Sequence, residues 1–502
     1  MSQRYLTIPL LSACLIWSAP AELSAAPLDG ALEQLLRARD LRSTRYSICV
    51  IDADNGEVLG EINADEPMLP ASNMKLVTTA SALDVLGKDF VFRTELGVVD
   101  APAGGQAALM LKGDGDPALG DPILLKEAGL NAEDILSQWV KAVKQTGITS
   151  FDRLIVDDRV FDQQMVHPSW PEGQLHQHYC AQVAGLNFND NCLHVLPSPS
   201  SRVGASPTIS IYPESPFLQI FNSATTGSAN EFWVDRKPGT NEMTMRGRVK
   251  STFYTPVRVT LNDPPIYLGQ LLKDRLGRAG IRVDQVVRQA VGEQAPEARP
   301  IHRVETLMPA ILRRTNRDSQ NLFAEAQIKR MGYALTGSPG GWENGAAAVR
   351  HALSRRLGTL ASGVVIADGS GLSRDNAVSA RVLAELLTSM HQDPQIGPVY
   401  LNSLSYNGKA DGDSEEQGDG TLDGRFKQLP AGHWVYGKSG YIRAVSSLSG
   451  YLIVTNPEAP EHPKRTIAFS LLFNGFTPPL SNRSMKTIQD QLVVMIDQQL
   501  DE

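Results

Sequence analysis

Leu69-Pro70-Ala71-Ser72-Asn73-Met74-Lys75 is the stretch that decides how this chain reads. A lysine follows a serine by three residues, at the mouth of an apolar run. In that run Leu76, Val77, Ala80, Leu83 and Leu86 recur mostly at three- and four-residue steps, and Gly87 closes it. The spacing predicts a helix over residues 72–86. Ser72 then stands at the helix N-terminus, and Lys75 follows one turn later on the same face. Pro67 and Pro70 keep the approach extended and stop any helix from starting early. A serine hydroxyl is a weak nucleophile until a base takes its proton. Lysine becomes such a base once burial or a second cation discourages its ammonium. No other serine and lysine in the chain share this spacing. Alone, the pair also fits a helix N-cap serine beside a solvated lysine.

Two polar triplets far downstream change that balance. Ser319-Gln320-Asn321 is followed directly by a helix-like run, which separates it from two other Ser-x-Asn copies at Ser228 and Ser405. Ser319 can pass a proton between Lys75 and a leaving group. The Asn321 amide both donates and accepts, as a substrate peptide bond requires. Lys438-Ser439-Gly440 lies in a strand-like run over residues 434–442. Lys438 can serve as the second cation near Lys75, and Lys438 and Ser439 can bind a terminal carboxylate. Gly440 lets a substrate backbone approach as an added strand. The Tyr441 N–H, with that of Ser72, can form an oxyanion hole. Taken alone, each triplet reads more readily as ordinary structure: helix capping for Ser319 and Asn321, and an exposed hairpin lysine for Lys438. Three triplets in order, each in a suitable element, argue together for serine acyl transfer.

The ends and composition agree. Arg4, then an apolar run over residues 5–19, then Leu23-Ser24-Ala25-Ala26 read as an export signal cut near Ala25. A buried N-terminal helix is the alternative for this segment. Leu11-Ser12-Ala13-Cys14 offers a rival lipid-modified cut, and only this would place the chain on a membrane. No later stretch is apolar enough to span a bilayer. The expected location is periplasmic or otherwise extracytoplasmic. A net charge of −8 over 502 residues argues against a nucleic-acid partner. Of the four cysteines, Cys49 reads as a buried thiol, while Cys180 and Cys192 are expected to form a disulfide or to be two small buried residues. No Cys/His spacing suggests zinc, so neither a metal nor an organic cofactor is expected.

The chain is long enough for two or three domains. Residues 32–41 read as an amphipathic helix, and residues 46–51 and 57–62 as strands. From about 92 to 294 the texture changes to short β-like runs, such as 107–111, 154–156 and 208–212, separated by Gly and Pro turns. That stretch reads as a mostly β insertion. Helical patterns return at 304–314, 321–331, 345–357 and 380–392. Strands follow at 434–442, 445–454 and 466–473, suggesting an antiparallel meander, and a helix at 484–500 closes the chain. The only biased segment, acidic residues 411–416, reads as a solvated loop.

On these motifs the chain resembles the low-molecular-mass class C penicillin-binding proteins. These are D-alanyl-D-alanine carboxypeptidases/endopeptidases of the penicillin-binding protein 4 type. Further likenesses are Asn189-Asp190-Asn191-Cys192, Asp368-Gly369-Ser370-Gly371-Leu372-Ser373-Arg374 and Asp419-Gly420-Thr421-Leu422. The resemblance implies an α/β fold, a penicillin-binding/β-lactamase-like transpeptidase domain with an antiparallel sheet flanked by helices and a nested insertion. It implies a signal at 1–25, a catalytic domain from 26–92 and 299–502, one inserted domain from 93–165 and 256–298, and another from 166–255. Ser72 becomes the acylated nucleophile and Lys75 its base. Ser319 and Asn321 belong to the second motif, and Lys438, Ser439 and Gly440 to the third. The partners implied are peptidoglycan stem peptides and β-lactam antibiotics. Departures from the family pattern are Ser439 for threonine, Tyr441 for a small residue, and the acidic addition near Asp413. A β-lactamase or esterase on the same fold, or a non-catalytic wall-binding protein, are the alternatives.

Overall fold

The computed structural model describes residues 28–501 apart from 102, 104, 409–419 and 457–458. The expected signal, Cys14 and the acidic run 411–416 lie outside the described residues. One sheet organises the two ends of the chain. Its strand order is Ser405–Tyr406, His433–Ile442, Val445–Asn456, Ala459–Asn474, Arg45–Asp52, Val58–Ile62, and every pairing is antiparallel.

Alternation along the strands gives this sheet two buried faces. Ile48 and Val50 pack with Leu32, Leu36, Leu492 and Ile496, which belong to the N-terminal helix Asp29–Arg37 and the C-terminal helix Asn482–Asp501. Cys49 and Ile51 point into the opposite core with Leu76, Leu83, Phe323, Val349 and Leu383. These come from the helices Met74–Leu86, Asn321–Thr336, Trp342–Leu357 and Ala380–His391. The result is an α/β sandwich with an antiparallel sheet between two helical layers. The helix Met74–Leu86 is buried along nearly its whole length, as a central element hydrophobic all round should be.

Between the first and second motifs the chain leaves this sandwich. A five-stranded sheet runs Arg282–Arg288, Ser150–Asp157, Ala108–Gly113, Val91–Val99, Arg299–Leu307. Its first two pairings are parallel and the others antiparallel. Two smaller sheets follow, one from Val257–Thr260, Cys192–Ser198 and Thr208–Tyr212, the other centred on Glu242–Val249. This insertion is less purely β than its turn-rich sequence suggests. It carries the helices Ala132–Gln145 and Pro264–Arg278, whose Leu136, Trp139, Leu268 and Leu272 fill a separate core. Residues 304–307, expected to open a helix, instead end a strand paired with 91–94, and the helix begins at Met308.

The disulfide expected between Cys180 and Cys192 does not form. Both thiols are free, as is that of Cys49. Cys180 ends a short turn and packs into the core shared by Val183 and Phe323. Cys192 begins a strand paired opposite Thr260. Their proximity in sequence is therefore spent in two different packing environments.

Candidate active site

The three triplets converge. Ala71–Asn73 form a single tight turn that leads without a break into the helix Met74–Leu86. Ser72 thus stands half a turn ahead of the α-helix rather than on its first residue. Ala71 holds a left-handed φ of 46°, a conformation that costs a non-glycine residue about 1–3 kcal/mol and persists only where its surroundings impose it. They do. A Cβ on Gly371 would lie 1.7 Å from the Ala71 carbonyl oxygen. A Cβ on Gly440 would lie 2.8 Å from the Ser72 nitrogen and 3.0 Å from the Pro70 oxygen. Gly440 is needed, then, for the approach of the protein's own nucleophile turn. Asn73 and Ser447 fasten the same turn to the sheet. Ser447 donates to Pro70 O at 2.6 Å. With its amide nitrogen facing the strand, Asn73 donates to Lys438 O at 2.8 Å.

Lys75 is fully buried. Its ammonium donates to Ser72 Oγ at 3.2 Å, Asn321 Oδ1 at 2.7 Å and Ser370 O at 2.9 Å. Burial lowers its pKa to about 8, against the opposing pull of Glu325 and Asp368. Lys438 is buried too, and its ammonium donates to Ser439 O at 2.9 Å. Burial, reinforced by the charge of Lys75, holds Lys438 well below the usual lysine range. It is a second buried amine near Lys75 and does not line the cleft beside Ser72. Asn321 is used at both ends, since its nitrogen also donates to Tyr179 O at 2.9 Å. One N–H remains for a ligand. Ser319 lines the cleft with Ser72 and has a left-handed φ of 59°. No hydrogen bond joins it to Lys75 among the described residues. Ser439, Gly440 and Tyr441 border Ser72, and Tyr441 is about half exposed.

Two buried acids outside the three triplets support this arrangement. Glu325 accepts from Ser370 N at 2.8 Å, Gly369 N at 3.0 Å and Trp342 Nε1 at 2.8 Å. Burial, with Asp368 nearby, raises its pKa to about 7. Asp368 accepts from Gly371 N, Ser373 N, Asn376 Nδ2 and Trp170 Nε1. Together they fix the loop whose Ser370 carbonyl holds Lys75. Glu325 lies one turn beyond Asn321 on the same helix, a position where an acid amid apolar residues was the available signal.

The main cleft at Ser72 has a volume of about 660 Å³ and runs past Ser169, Tyr179, Arg374 and Arg443. Chemically, the geometry supplies a hydroxyl, a buried amine of lowered basicity and a second buried amine beside it, a set suited to serine acyl transfer. No group of three or more metal-ligating side chains is found among the described residues.

This fold and site define a penicillin-recognising serine acyl-transferase. The chain belongs to the D-Ala-D-Ala carboxypeptidase 3 (S13) family, whose pattern matches residues 28–499. It is similar to the D-alanyl-D-alanine carboxypeptidase of Actinomadura sp. (strain R39), at 31% identity across 98% of this chain and 89% of that protein. The penicillin-sensitive carboxypeptidase A of Dictyostelium discoideum is 23% identical over 88% of this chain and 84% of its own length. Among solved structures, penicillin binding protein 4 from Haemophilus influenzae superposes with a TM-score of 0.73 at 19% identity, covering 93% of this chain and 99% of the other. A second structure of that protein, complexed with a β-lactam, gives 0.69 at 20% identity. These neighbours share the penicillin-binding fold. By its family, the chain is a serine D-Ala-D-Ala carboxypeptidase of the penicillin-binding protein 4 type.

Proposed function

We propose that Ser72 is the acylated nucleophile of a peptidase acting on peptidoglycan stem peptides outside the cytoplasm. Neutral Lys75 takes the Ser72 proton as Ser72 Oγ bonds to the carbonyl carbon between two D-residues. Burial favours the neutral form of Lys75, Lys438 stands close to it as a second buried amine, and Ser319 relays the proton to the departing amine. Asn321 positions Lys75 and the substrate amide. The Ser72 and Tyr441 N–H groups hold the oxyanion, and Ser439 and Gly440 border the substrate. The C–N bond breaks, the amine leaves, and water then releases the acyl group. A β-lactam presents a similar carbonyl and remains attached through Ser72. The inserted sheets form units nested within the catalytic domain, and the strands Val91–Val99 and Arg299–Leu307, at the expected junctions, belong to the inserted five-stranded sheet.

The observation that carries this reading is the contact of the fully buried Lys75 with both Ser72 and Asn321. A solvated surface lysine would not make it. No helix among the described residues is long and apolar enough to cross a membrane. The reading is tested by following release of D-alanine from an N-acylated peptide ending in D-Ala-D-Ala, with Ser72→Ala as control. Release by the wild type alone supports it. Release undiminished in Ser72→Ala would exclude Ser72 as the nucleophile.

A further inference from the structure

Beside Ser72 the cleft divides into two recesses that share Ser72, Ser319 and Tyr441. The smaller, about 200 Å³, is lined also by Thr421, Ser439, Ser446, Lys486 and Gln489. Most of its lining side chains carry a polar group, and none of the described ones is a carboxylate. Some of these groups are committed. Ser446 donates to Asn482 Oδ1 at 3.0 Å and accepts from Gln489 Nε2 at 3.3 Å. Others are not. Thr421 Oγ1 is shielded from solvent and has no partner among the described residues. Such an orphan hydroxyl is costly unless a ligand meets it.

Lys486 is the second uncommitted group. It projects from the C-terminal helix Asn482–Asp501 and is half-buried. Asp490, one turn further on, would be its natural partner. Instead, Asp490 receives Arg425 through Nε at 2.9 Å and a second nitrogen at 2.6 Å. Lys486 has no ion pair among the described residues. Burial, and then the charge of Arg425, lowers the Lys486 pKa against the opposing pull of Asp490. Lys438 cannot play this part, because its ammonium is turned inward to Ser439 O.

We infer that Lys486, with the hydroxyls of Thr421 and Ser439, binds the free carboxylate of the D-residue that leaves. The inference rests on the acyl-transfer reading and deepens it. The larger recess takes the acyl-donating peptide, while the smaller holds a single residue on the other side of the scissile bond. When Ser72 Oγ bonds to the carbonyl carbon and the C–N bond breaks, the departing residue takes the proton on its amine. Its carboxylate stays on Lys486 until release. A lysine ammonium and two hydroxyl donors suit a carboxylate, and no acid among the described lining residues would repel it. Recognition therefore selects a cleavage point one residue from a free carboxylate. Both a terminal D-alanine and a cross-link ending on a D-centre meet that condition.

The test compares an N-acylated tripeptide ending in D-Ala-D-Ala with its C-terminal carboxamide, measured as kcat/KM on the purified full chain. Wild type is expected to prefer the acid. Lys486→Ala should reduce the acid-to-amide ratio roughly 10- to 100-fold, Lys486→Arg should restore most of it, and Thr421→Val should reduce it less. Thermal melting of each variant separates lost recognition from lost folding. An unchanged ratio in Lys486→Ala, with a benzylpenicillin adduct still forming on wild-type Ser72, overturns this inference alone. Absence of that wild-type adduct overturns the acyl-transfer reading and this inference with it.

Discussion

Gly440 and Ser72 approach so closely that a methyl group on Gly440 would lie 2.8 Å from the Ser72 backbone nitrogen. The third motif thus shapes the first. Strand His433–Ile442 presses against the nucleophile turn, and that turn carries its left-handed Ala71 because the strand and the Gly371 loop leave no other path.

Gly440→Ala should therefore damage the site and the fold together. The added Cβ also meets Ser447 Oγ at 2.2 Å. Overpacking of this kind costs about 1–3 kcal/mol. Thermal melting and benzylpenicillin acylation should both fall. A variant with native melting and a native acylation rate would show that the contact tolerates a side chain.

Lys75→Ala should lose about 100- to 10,000-fold in acylation rate, the usual contribution of a positioned proton-transfer group, while keeping its secondary structure. Stopped-flow acylation beside circular dichroism checks this. Acylation at the wild-type rate would remove Lys75 from the role of base.

The pH dependence follows from the same residue. Only neutral Lys75 accepts a proton, and its pKa is about 8. Below that value the neutral fraction falls about tenfold per pH unit, so the acylation rate should climb with pH and level off above about 8. A rate independent of pH between 6 and 8 would contradict the assignment.

Glu325→Gln supplies a directional test. The Glu325 charge raises the Lys75 pKa, and its own pKa of about 7 leaves it largely ionised above neutrality. Removing the charge should move the rising limb of the pH profile to lower pH. A shift to higher pH would mean that loosening of the Ser370 loop outweighs the lost charge.

Cys180 offers a chemical check on the fold. Burial pushes its thiol up to about 12 and Cys192 higher still, so neither should react with iodoacetamide in the native protein. Unfolded without reductant, both should be alkylated. A mass showing a linked Cys180–Cys192 pair would contradict the separate packing of the two.

Much of the sandwich was legible because its residues obey local periodicities. The runs at 46–51, 321–331 and 434–442 all lie within the elements that form. Elsewhere local signals competed. Pro264 and Pro265 lie in the stretch read as β-like runs between Gly and Pro turns, yet they occupy the first turn of a helix, where proline lacks nothing the helix needs. At Ala132–Gln145 the capping box of Asn131 and Asp134 was present but hidden in a Gly- and Pro-rich setting. Residues 304–307 became strand because 91–94 waited across the sheet, a partner some two hundred residues away. The site divides the same way. The triplets announce themselves by spacing, whereas Glu325, Asp368 and Lys486 matter through neighbours that only the folded chain brings together.

The most direct test of the account is the intact mass of the purified protein after incubation with benzylpenicillin, beside Ser72→Ala. A single stable adduct on the wild type and none on the variant is the predicted result. No adduct on the wild type, or an adduct that persists in Ser72→Ala, would contradict the account.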